Sequence, residues 1–596
     1  MSTDLKTRQV VFTDHARCRD CYRCLRACPV KAIQMHDGQA AVVEERCIAC
    51  GTCIRECPQQ AKSYRRDLEP AASLIESGYQ VAASIAPSFA AVWNEWERKC
   101  IPSALRKLGF VHVSETAIGA YEVARATRDY VNENAGRAHI CTACPAVVNY
   151  VEYYEPQAIG LLTPIVSPMI AHARHIRGLL GADVKVVFIG PCVAKKAEAD
   201  RPEYAGLVDC VLTFAELTDW FQRTGIDLAK CEASAFDEEP VGESRYFPLP
   251  GGMARTAAWS TDLLDTRCEA VSGFASIRDA IQSAGGQSRD LLIEPLFCVQ
   301  GCVCGPGGLS EANAYEQKRR VLSYAGATTS KNKSVAGNCT TENIHESNAN
   351  ALMNQYRPRC PLDPMAHSEE AIRSVLEKTG KARKEDQLNC GACGYLSCRA
   401  KAIAVLEGMA EPEMCIPHMR RLAEQRTDRI IETSPNGIVI LDERLKIMHM
   451  NAAFRRYFMC SDAVCGKHIS YLMDPANFER LVGGEEDRYE TTSRHKNYNL
   501  ICHQILYRLP EEKQYVGIFV NIAPLLTNQK KLEQLREQTT AQARELLEHQ
   551  VKMAQEMARF LGESTARGEE LVRNLLKLST EQPSGERDRW LWDTYT

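Results

Sequence analysis

The sequence has no long hydrophobic run and no marked excess of charge of either sign. No stretch approaches the ~20 apolar residues that a membrane-spanning helix needs. The amino terminus, MSTDLKTRQVVF, lacks both the apolar centre of a signal peptide and a twin-arginine pair. The 72 basic and 76 acidic residues are scattered, so no basic stripe favours nucleic-acid binding. These absences predict a cytoplasmic protein that contacts neither membrane nor nucleic acid.

Cysteine, by contrast, is abundant, with 27 residues in a chain of 596. A chain of this length is too long for one core and predicts roughly three to five domains. Disulfides are not expected in a reducing compartment, where thiols at short spacings are more often metal ligands. Iron–sulfur chemistry is therefore the first hypothesis.

Two tracts near the amino terminus, CRDCYRCLRACP and CIACGTCIRECP, carry cysteine triplets followed by a fourth cysteine and a proline. In this bacterial ferredoxin run three cysteines hold one 4Fe–4S cube and the fourth ligates the other cube. A zinc site would instead show paired CxxC knuckles. The predicted ligand sets are Cys18, Cys21, Cys24 and Cys57 for one cluster, and Cys47, Cys50, Cys53 and Cys28 for the other.

Residues 67–325 show mixed helix and strand patterns that predict α/β layering with parallel strands. VKVVFIGPC and YQVAASIAPS indicate buried strands, and IPSALRKLGF indicates an amphipathic helix that ends at Gly109. Four cysteines in this region adjoin turn-forming residues, within TACPA, GPCVAKK and EPLFCVQGCVCGPGG. Each alone would be interpreted as a buried structural thiol. The four are Cys144, Cys192, Cys298 and Cys302.

These three segments resemble, in order and internal spacing, the signature segments of the iron-only (FeFe) hydrogenases, roughly TSCCPxW, MPCxxKK and ExMxCxxGCxxGGG. The resemblance implies an H-cluster, a 4Fe–4S cube joined to a two-iron unit with CO, cyanide and a bridging dithiolate amine. It implies that Cys144, Cys192, Cys298 and Cys302 hold the cube, with Cys302 as the bridge to the two-iron unit. Lys195 would donate to a cyanide, since a buried anionic ligand needs a donor. The glycines after Cys302 would let the backbone approach the cofactor.

One departure from the family pattern bears directly on catalysis. Ala143 stands where the family has the first cysteine of its pair, which carries protons between the bridging amine and the protein. Alanine has no exchangeable proton, so that relay is cut at its first step. General acid–base transfer commonly contributes 10²–10⁴-fold, so its loss predicts a slow catalyst and favours a sensor over a metabolic enzyme.

Other family positions are changed as well. The family's two methionines beside the two-iron unit and its tryptophan after the first motif are replaced, and the helix GAYEVARATRDY offers only Glu122 as a relay carboxylate. The replacements are Gly190 and Leu296 for the methionines, Val147 for the tryptophan, and Val123 and Ala126 where relay carboxylates would fall.

Beyond this domain, a polar stretch indicates a linker, and LNCGACGYLSC with the later EPEMCIP resembles a small four-cysteine iron–sulfur domain. Zinc is the alternative metal there. The predicted ligands of a further 4Fe–4S cluster are Cys390, Cys393, Cys398 and Cys415.

The segment that contains SPNGIVILDERLKIMHMNAAF and QYVGIFVNIAPL resembles a PAS domain, with His449, His468, Cys460, Cys465 and Cys502 as potential ligands or plain core and surface residues. A heptad series then predicts a parallel dimeric coiled coil, or else an amphipathic helix packed on its own domain. The series is Leu525, Leu532, Thr539, Leu546, Met553 and Phe560. A second short helix, GEELVRNLLKLS, and a tail with Trp590 and Trp592 follow.

The expected fold is therefore a multidomain α/β and α+β chain. Its predicted segments are 1–66 two-cluster ferredoxin, 67–325 H-cluster domain, 326–355 linker, 356–426 four-cysteine domain, 427–526 PAS domain, 527–580 coiled coil and 581–596 tail.

The sequence favours a hydrogen-responsive FeFe-hydrogenase-type oxidoreductase of an anaerobe. It would bind dihydrogen, exchange protons and signal through the PAS domain to a separate kinase or phosphatase. One alternative is a metabolic hydrogenase that exchanges electrons with ferredoxin or another redox partner. The other is a scaffold without enzyme activity that holds only a cube.

Overall fold

The computed structural model describes residues 9–259, 267–285, 290–308, 312–335, 352–359, 367–484, 487–561, 572–574 and 576–577. The chain forms two compact units, residues 1–419 and residues 420–596, and each is described by itself. A membrane-spanning helix is missing from the described part of the chain, where no helix combines the necessary length and hydropathy.

The first unit opens with a small two-fold repeat in which two short helices pack against each other between two antiparallel strand pairs. Each cysteine triplet precedes or enters one of these helices. The elements are β1 (Val11–Thr13), α1 (Arg23–Ala27), β2 (Ile33–His36), β3 (Gln39–Val42), α2 (Thr52–Glu56) and β4 (Lys62–Tyr64).

The larger domain that follows is built on two parallel sheets, as the sequence predicts. The strand at 81–85 is buried along its whole length because helices cover both faces of a parallel sheet. Its strands are β5 (Val81–Ile85), β6 (His112–Glu115), β7 (Ala138–Ile140), β8 (Lys185–Gly190), β9 (Cys210–Thr213), β10 (Cys268–Ser272) and β11 (Leu291–Leu296).

The sheets have the strand orders β6-β5-β8-β9 and β10-β11-β7. The predicted helix before Gly109 exists, and Gly109 ends it in the left-handed conformation with a φ of 108°. The helices are α3 (Leu68–Glu76), α4 (Glu95–Leu108), α5 (Ala117–Glu133), α6 (Pro145–Tyr154), α7 (Pro168–Leu180), α8 (Ala194–Ala199), α9 (Phe214–Arg223), α10 (Gly252–Thr256), α11 (Phe274–Ala284) and α12 (Ala314–Val335).

The linker predicted over residues 326–355 differs from the structure at both ends. Helix α12 continues to Val335, well inside the predicted linker. At the other end Leu352 is buried in the hydrophobic core, and the backbone N–H of Asn354 donates to the Pro164 carbonyl at 2.9 Å. A single leucine in a polar stretch gives no periodic signal, so its burial was not predicted. The middle of this stretch lies outside the described residues.

The four-cysteine region completes the first unit and packs on the ferredoxin-like repeat. The backbone N–H of Met35 donates to the Met409 carbonyl at 3.1 Å, and Arg46 pairs with Glu407 at 2.9 Å. Helix α15 begins directly after Cys415 and ends shortly before the first strand of the second unit. The helices are α13 (Glu369–Lys378), α14 (Cys398–Leu406) and α15 (Ile416–Thr433).

The second unit is a five-stranded antiparallel sheet with the order β13-β12-β16-β15-β14. The side chain of Asn451 accepts from the Phe454 N–H at 2.9 Å and so begins the helix predicted at NAAF. The elements are β12 (Gly437–Leu441), β13 (Ile447–Met450), α16 (Ala452–Tyr457), α17 (Ala476–Val482), β14 (Arg488–His495), β15 (Leu500–Leu509) and β16 (Gln514–Asn521).

The long helix α18 (Ala523–Leu561) follows the sheet, where the sequence predicts a heptad helix. Leu525, Leu532, Leu546 and Met553 of the series are exposed in the single chain. The pairing of two such helices stays a prediction. Of the second short helix, residues 572–574 and 576–577 are helical, and the tail with its two tryptophans lies outside the described residues.

Candidate functional site

A cavity lies at the carboxyl ends of β5 and β8, where the segments TACPA, GPCVAKK and EPLFCVQGCVCGPGG meet. It holds about 580 Å³ of space without protein atoms. Ligands commonly bind at this edge of a parallel sheet. The wall combines apolar side chains with a few groups able to bind metal or donate hydrogen bonds. The wall residues that matter most here are Ala143, Cys192, Lys195, Cys302, Thr116 and Ser88.

The four cysteines that the resemblance assigns to the cube lie together. Burial raises the pKa of Cys302, and the neighbouring thiols of Cys144 and Cys192 raise it further. Burial also raises the pKa of Cys298, and the nearby thiols of the other three cysteines raise it further. Cys144 is buried and Cys192, Cys298 and Cys302 are half-buried, so four thiols from three segments converge where a metal cluster could take them as thiolates. The donor set therefore fits a cube beside the cavity.

Cys141, the residue directly before the TACPA segment, lies in the hydrophobic core and is not part of the cavity wall. Its backbone N–H donates to the Ile293 carbonyl at 2.9 Å. Burial raises the pKa of its thiol to about 12. It therefore packs as a small apolar side chain.

Lys195 is placed where a cation can face the cavity. Its Nζ lies 2.7 Å from Oε2 of Glu198, and the same carboxylate accepts from the Ser167 hydroxyl at 3.0 Å. Nζ also donates to the carbonyl of Ala143 at 3.5 Å. The buried carboxylate holds the Lys195 side chain in place, so its Nζ is available to an anionic ligand.

The replaced family positions change the shape of the cavity wall. Ala143 and Leu296 line it directly. At Gly190 a Cβ would approach the Phe188 ring at 2.8 Å, and this ring lines the cavity as well. Next to Gly190 the cavity wall is therefore formed by an aromatic ring from the same strand. Val123 is buried in the hydrophobic core, so this position of α5 offers no polar group.

The glycines after Cys302 allow close packing between two loops, and their approach to a cofactor stays a prediction. A Cβ at Gly305 would lie 2.6 Å from the Pro191 carbonyl, and one at Gly307 would lie 2.6 Å from the Thr213 side chain. These glycines let the Cys302 loop pack tightly on the Pro191 turn, which holds Cys192 and Cys302 on the same cavity wall.

In the ferredoxin-like repeat the structure brings the second predicted ligand set together. Burial is the main cause of the raised pKa of Cys53, and the nearby thiols of Cys50, Cys47 and Cys28 raise it further. Of the first set, Cys24 lies near Cys18 and Cys21. Burial is the main cause of the raised pKa of Cys24, and these two thiols raise it further. The sulfur of Cys57 has a local contact, since it accepts from the Ala61 N–H at 3.2 Å.

The ferredoxin-like repeat touches the loop that carries Cys302. The guanidinium of Arg55 donates to the Cys304 carbonyl at 2.9 Å, and a Cβ at Gly51 would lie 2.5 Å from Pro306. The second ligand set is therefore adjacent to the cavity domain, in a position suited to electron transfer.

The four cysteines of the small domain line one cavity with about 250 Å³ of space. No group of three or more histidine, cysteine or carboxylate side chains in the described residues converges tightly enough for a single metal ion. The four thiols surround this space, an arrangement that suits a cube, and zinc stays the alternative metal. Gly391 and Gly394 have positive φ values of 70° and 93°, as the tight loop requires.

Lys381 is a feature of this second site that sequence reasoning missed. Its ammonium lies 3.0 Å from the Cys415 sulfur and 3.3 Å from the Cys398 sulfur. Burial opposes this charge, but the two sulfurs raise the pKa of Lys381, and Lys381 lowers the pKa of Cys415. The stretch TGKARKEDQ has two lysines, and nothing in the sequence marks Lys381 as the one that makes this contact.

The potential ligands in the second unit are not gathered. Cys502 is fully buried in the sheet core, whereas His449, His468 and Cys465 are exposed. The Cys460 sulfur lies 3.7 Å from the Met450 sulfur. These residues behave as core and surface residues of the fold.

Four family models match the chain. They are the C-terminal domain of the iron only hydrogenase large chain over residues 79–306, the 4Fe-4S dicluster domain over 10–58, an Fe-S cluster family over 386–417 and the PAS fold over 425–499.

Among curated relatives, "Iron hydrogenase 1" of Clostridium pasteurianum is 31% identical over 30% of this chain and 36% of its own length. "Cytosolic Fe-S cluster assembly factor NAR1" of Vanderwaltozyma polyspora is 31% identical over 25% of this chain and 30% of its own. The chain spans between 36% and 61% of the lengths of three hydrogenase relatives that it matches.

Among solved structures, FeFe-hydrogenase HydA1 of Chlamydomonas reinhardtii is 17% identical, with a TM-score of 0.38, over 49% of this chain and 99% of that one. Together, the matched models and the iron–sulfur donor sets place an iron-only hydrogenase domain in this chain, next to a 4Fe-4S dicluster domain, a further Fe-S cluster domain and a PAS domain.

Proposed function

We propose that this protein is a hydrogen sensor that binds and slowly splits or forms dihydrogen. The observation that carries the proposal is Ala143 on the cavity wall beside Cys302 and Lys195. A bound H-cluster would supply an open iron at which dihydrogen is split. The residues around it provide thiol ligands and an ammonium, but no thiol at position 143 to take up a proton.

The chain's own residues support this assignment of roles. Cys144, Cys192, Cys298 and Cys302 would hold the cube, and Cys302 would bridge it to the two-iron unit. Lys195, held by Glu198, would donate to a cyanide ligand of that unit. Phe188 and Leu296 make part of the wall apolar, and an apolar wall lowers the local dielectric constant and so strengthens these charged contacts.

Electrons released by dihydrogen would reach the ferredoxin-like clusters and then the cluster at Cys390, Cys393, Cys398 and Cys415. Lys31 lies near both Cys28 and Cys393, so the ligand sets to which these two cysteines belong are close to each other, and this supports the order. Helix α15 starts at the residue after Cys415, so a redox change there has a direct covalent path to the PAS domain. A homodimer through the PAS domain and α18 would pass the signal to a kinase or phosphatase.

Two other functions remain as outcomes of the test. A metabolic hydrogenase, coupled to ferredoxin or another redox partner, would combine the same cofactor with fast turnover. A scaffold would hold only the cube, and the resemblance to cytosolic Fe-S cluster assembly factors favours this second alternative.

The proposed function is tested by infrared spectra and steady-state hydrogen turnover of the fully matured full chain. We expect CO and cyanide bands together with turnover that is slow, by roughly 10²–10⁴-fold, relative to a hydrogenase with an intact acid–base relay. Fast turnover would identify a metabolic enzyme, and a spectrum without bands would identify a scaffold.

The substitution Ala143→Cys is expected to raise hydrogen turnover, because it returns a thiol to the cavity wall where protons are exchanged. The gain is measured as hydrogen uptake with a dye as electron acceptor. Ala146→Cys, a buried position two residues after Cys144, is the matched control and should give no gain. Unchanged turnover in Ala143→Cys would instead attribute the slow rate to the altered wall at Phe188 and Leu296.

A further inference from the structure

A chain of polar side chains starts at the cavity wall and runs through the interior of the domain. It begins at Thr116, which lines the cavity and stands at the start of α5. A hydrogen bond of 2.8 Å joins its Oγ1 to Oγ of Ser84, and one of 2.7 Å joins that oxygen to Nδ1 of His172. All three side chains are buried.

The series of polar side chains continues on the other side of the His172 ring. Its Nε2 lies 3.2 Å from Oγ of Ser114, and the same oxygen lies 3.2 Å from Nε2 of His112. Ser84 and Ser114 are partners in the register of β5 and β6, and His112 lies two residues before Ser114. The three side chains therefore share one face of the sheet, which α7 covers with His172.

This series of polar side chains ends at the protein surface. Nε2 of His112 lies 3.3 Å from Oε2 of Glu238, an ion-pair contact. The other oxygen of Glu238 lies 2.9 Å from Nε2 of His175, whose Nδ1 is 3.3 Å from Glu122. Oε2 of Glu238 is itself buried, but the side chain as a whole is 25% exposed, so the route reaches the surface of the domain at this residue.

The charge states along the chain suit proton transfer outwards. Burial lowers the pKa of His172 to about 3, so its ring is neutral and offers one N–H and one lone pair to its two serines. Contacts with Glu122 and Glu238 raise the pKa of His175 to about 10. Contacts with His112 and His175 lower the pKa of Glu238, so a proton that arrives there is released readily.

We propose that Thr116, Ser84, His172, Ser114, His112 and Glu238 form a proton route between the cavity and the solvent, in place of the relay that Ala143 lacks. The inference rests on the proposed function. Each dihydrogen oxidised yields two protons and two electrons. The electrons pass to the iron–sulfur clusters. The hydroxyl groups and His172 each give up one proton as they accept another, whereas His112 meets both Ser114 and Glu238 through Nε2 and passes on the same proton from that nitrogen.

A hydroxyl group is a far weaker acid than a thiol, so the route is expected to be slower than one that starts at a cysteine. A slow route agrees with the slow hydrogen turnover that we propose for this protein. It also assigns a role to Glu122, which helps to hold His175 charged at the exit and does not line the cavity. Glu122 is thus a positioning residue.

The test uses the matured full chain and compares hydrogen oxidation in His172→Gln and Thr116→Val with the unaltered protein. We expect a decrease of about tenfold or more in each, because both groups act in general acid–base transfer. The double variant should be no slower than the slower single variant, since both changes block the same route. Thr116→Ser keeps the hydroxyl and should keep the rate.

The matched controls are His139→Gln and Ser103→Ala. His139 is buried and its ring bonds to the Asn134 carbonyl, and Ser103 bonds to backbone carbonyls away from the route. Both controls should retain hydrogen oxidation within about twofold, the range expected when no acid–base group is removed.

Two readouts do not depend on turnover. The CO and cyanide bands should be the same in every variant. In the cofactor-free protein, nitrogen-15 spectra of labelled histidine should show a His172 ring that stays neutral down to pH 5, with a resonance that shifts in Ser84→Ala.

The possible outcomes distinguish a failure of the proton route from a failure of the proposed function. Unchanged bands with unchanged rates in His172→Gln and Thr116→Val would overturn the route and leave the proposed function intact. An additive loss in the double variant, a slow Thr116→Ser or a His172 ring that titrates near its ordinary value would also overturn the route. A protein without any CO or cyanide bands would overturn the proposed function and the route together.

Discussion

Cys302→Ser is expected to abolish hydrogen turnover and to remove the CO and cyanide bands, whereas Cys304→Ser keeps both. Cys302 lies on the cavity wall and its thiol is near those of Cys144 and Cys192. A serine hydroxyl is a poor ligand for iron in place of a thiolate, so neither the cube nor the attached two-iron unit would be retained.

The control is matched closely, because the two cysteines are two residues apart in the same loop. Cys304 is outside the cavity wall, and its sulfur lies 3.7 Å from the Gln317 side-chain oxygen. Infrared spectra, iron content and hydrogen uptake would be measured on both variants after identical maturation. Loss of the bands in Cys304→Ser, or their survival in Cys302→Ser, would contradict the assignment.

Cys415→Ser is expected to remove about four irons per chain and to uncouple the PAS domain from hydrogen, while hydrogen oxidation with a dye continues. The small domain has few buried apolar residues of its own, so a lost cluster also removes much of its stability. The paramagnetic signal of this cluster should disappear, and α15 should exchange its amide protons faster.

Cys465→Ser is the control for this variant, since Cys465 is an exposed cysteine of the second unit. It should keep the full iron content and the amide protection of α15. Full iron content in Cys415→Ser would show that the four cysteines hold no cluster. A normal hydrogen-dependent response of the PAS domain without the cluster would overturn the proposed signal path.

The sequence alone identified the elements whose signals are local. Cysteine spacing within a loop predicted the two ligand tracts, because a cube is wrapped by residues that are close in the chain. The stretch VAASI at 81–85, apolar except for Ser84, predicted a buried strand, and Gly109 predicted the end of the helix before it. Ala143 was recognised from the residues on either side of it.

The tertiary structure decided the roles that depend on contacts between distant segments. GPCVAKK has two adjacent lysines, and both are buried. Lys195 faces the cavity, whereas Lys196 lies 3.3 Å from Asp67 and 3.0 Å from Glu216 in the domain core. Neighbouring residues of a helix point in different directions, and only the packing of α8 determines which one meets the site.

The same reason explains why the proton route and Lys381 were not predicted. Ser84, Ser114 and His172 come from two strands and a helix that are far apart in the chain, and each residue alone carries no signal. Strand register and the position of α7 bring them within hydrogen-bonding distance. The sequence determined which metal chemistry this protein supports, because the spacing of cysteines within each motif is a local signal. The tertiary structure determined where protons and charges are placed around it, because those contacts join segments that the chain keeps apart.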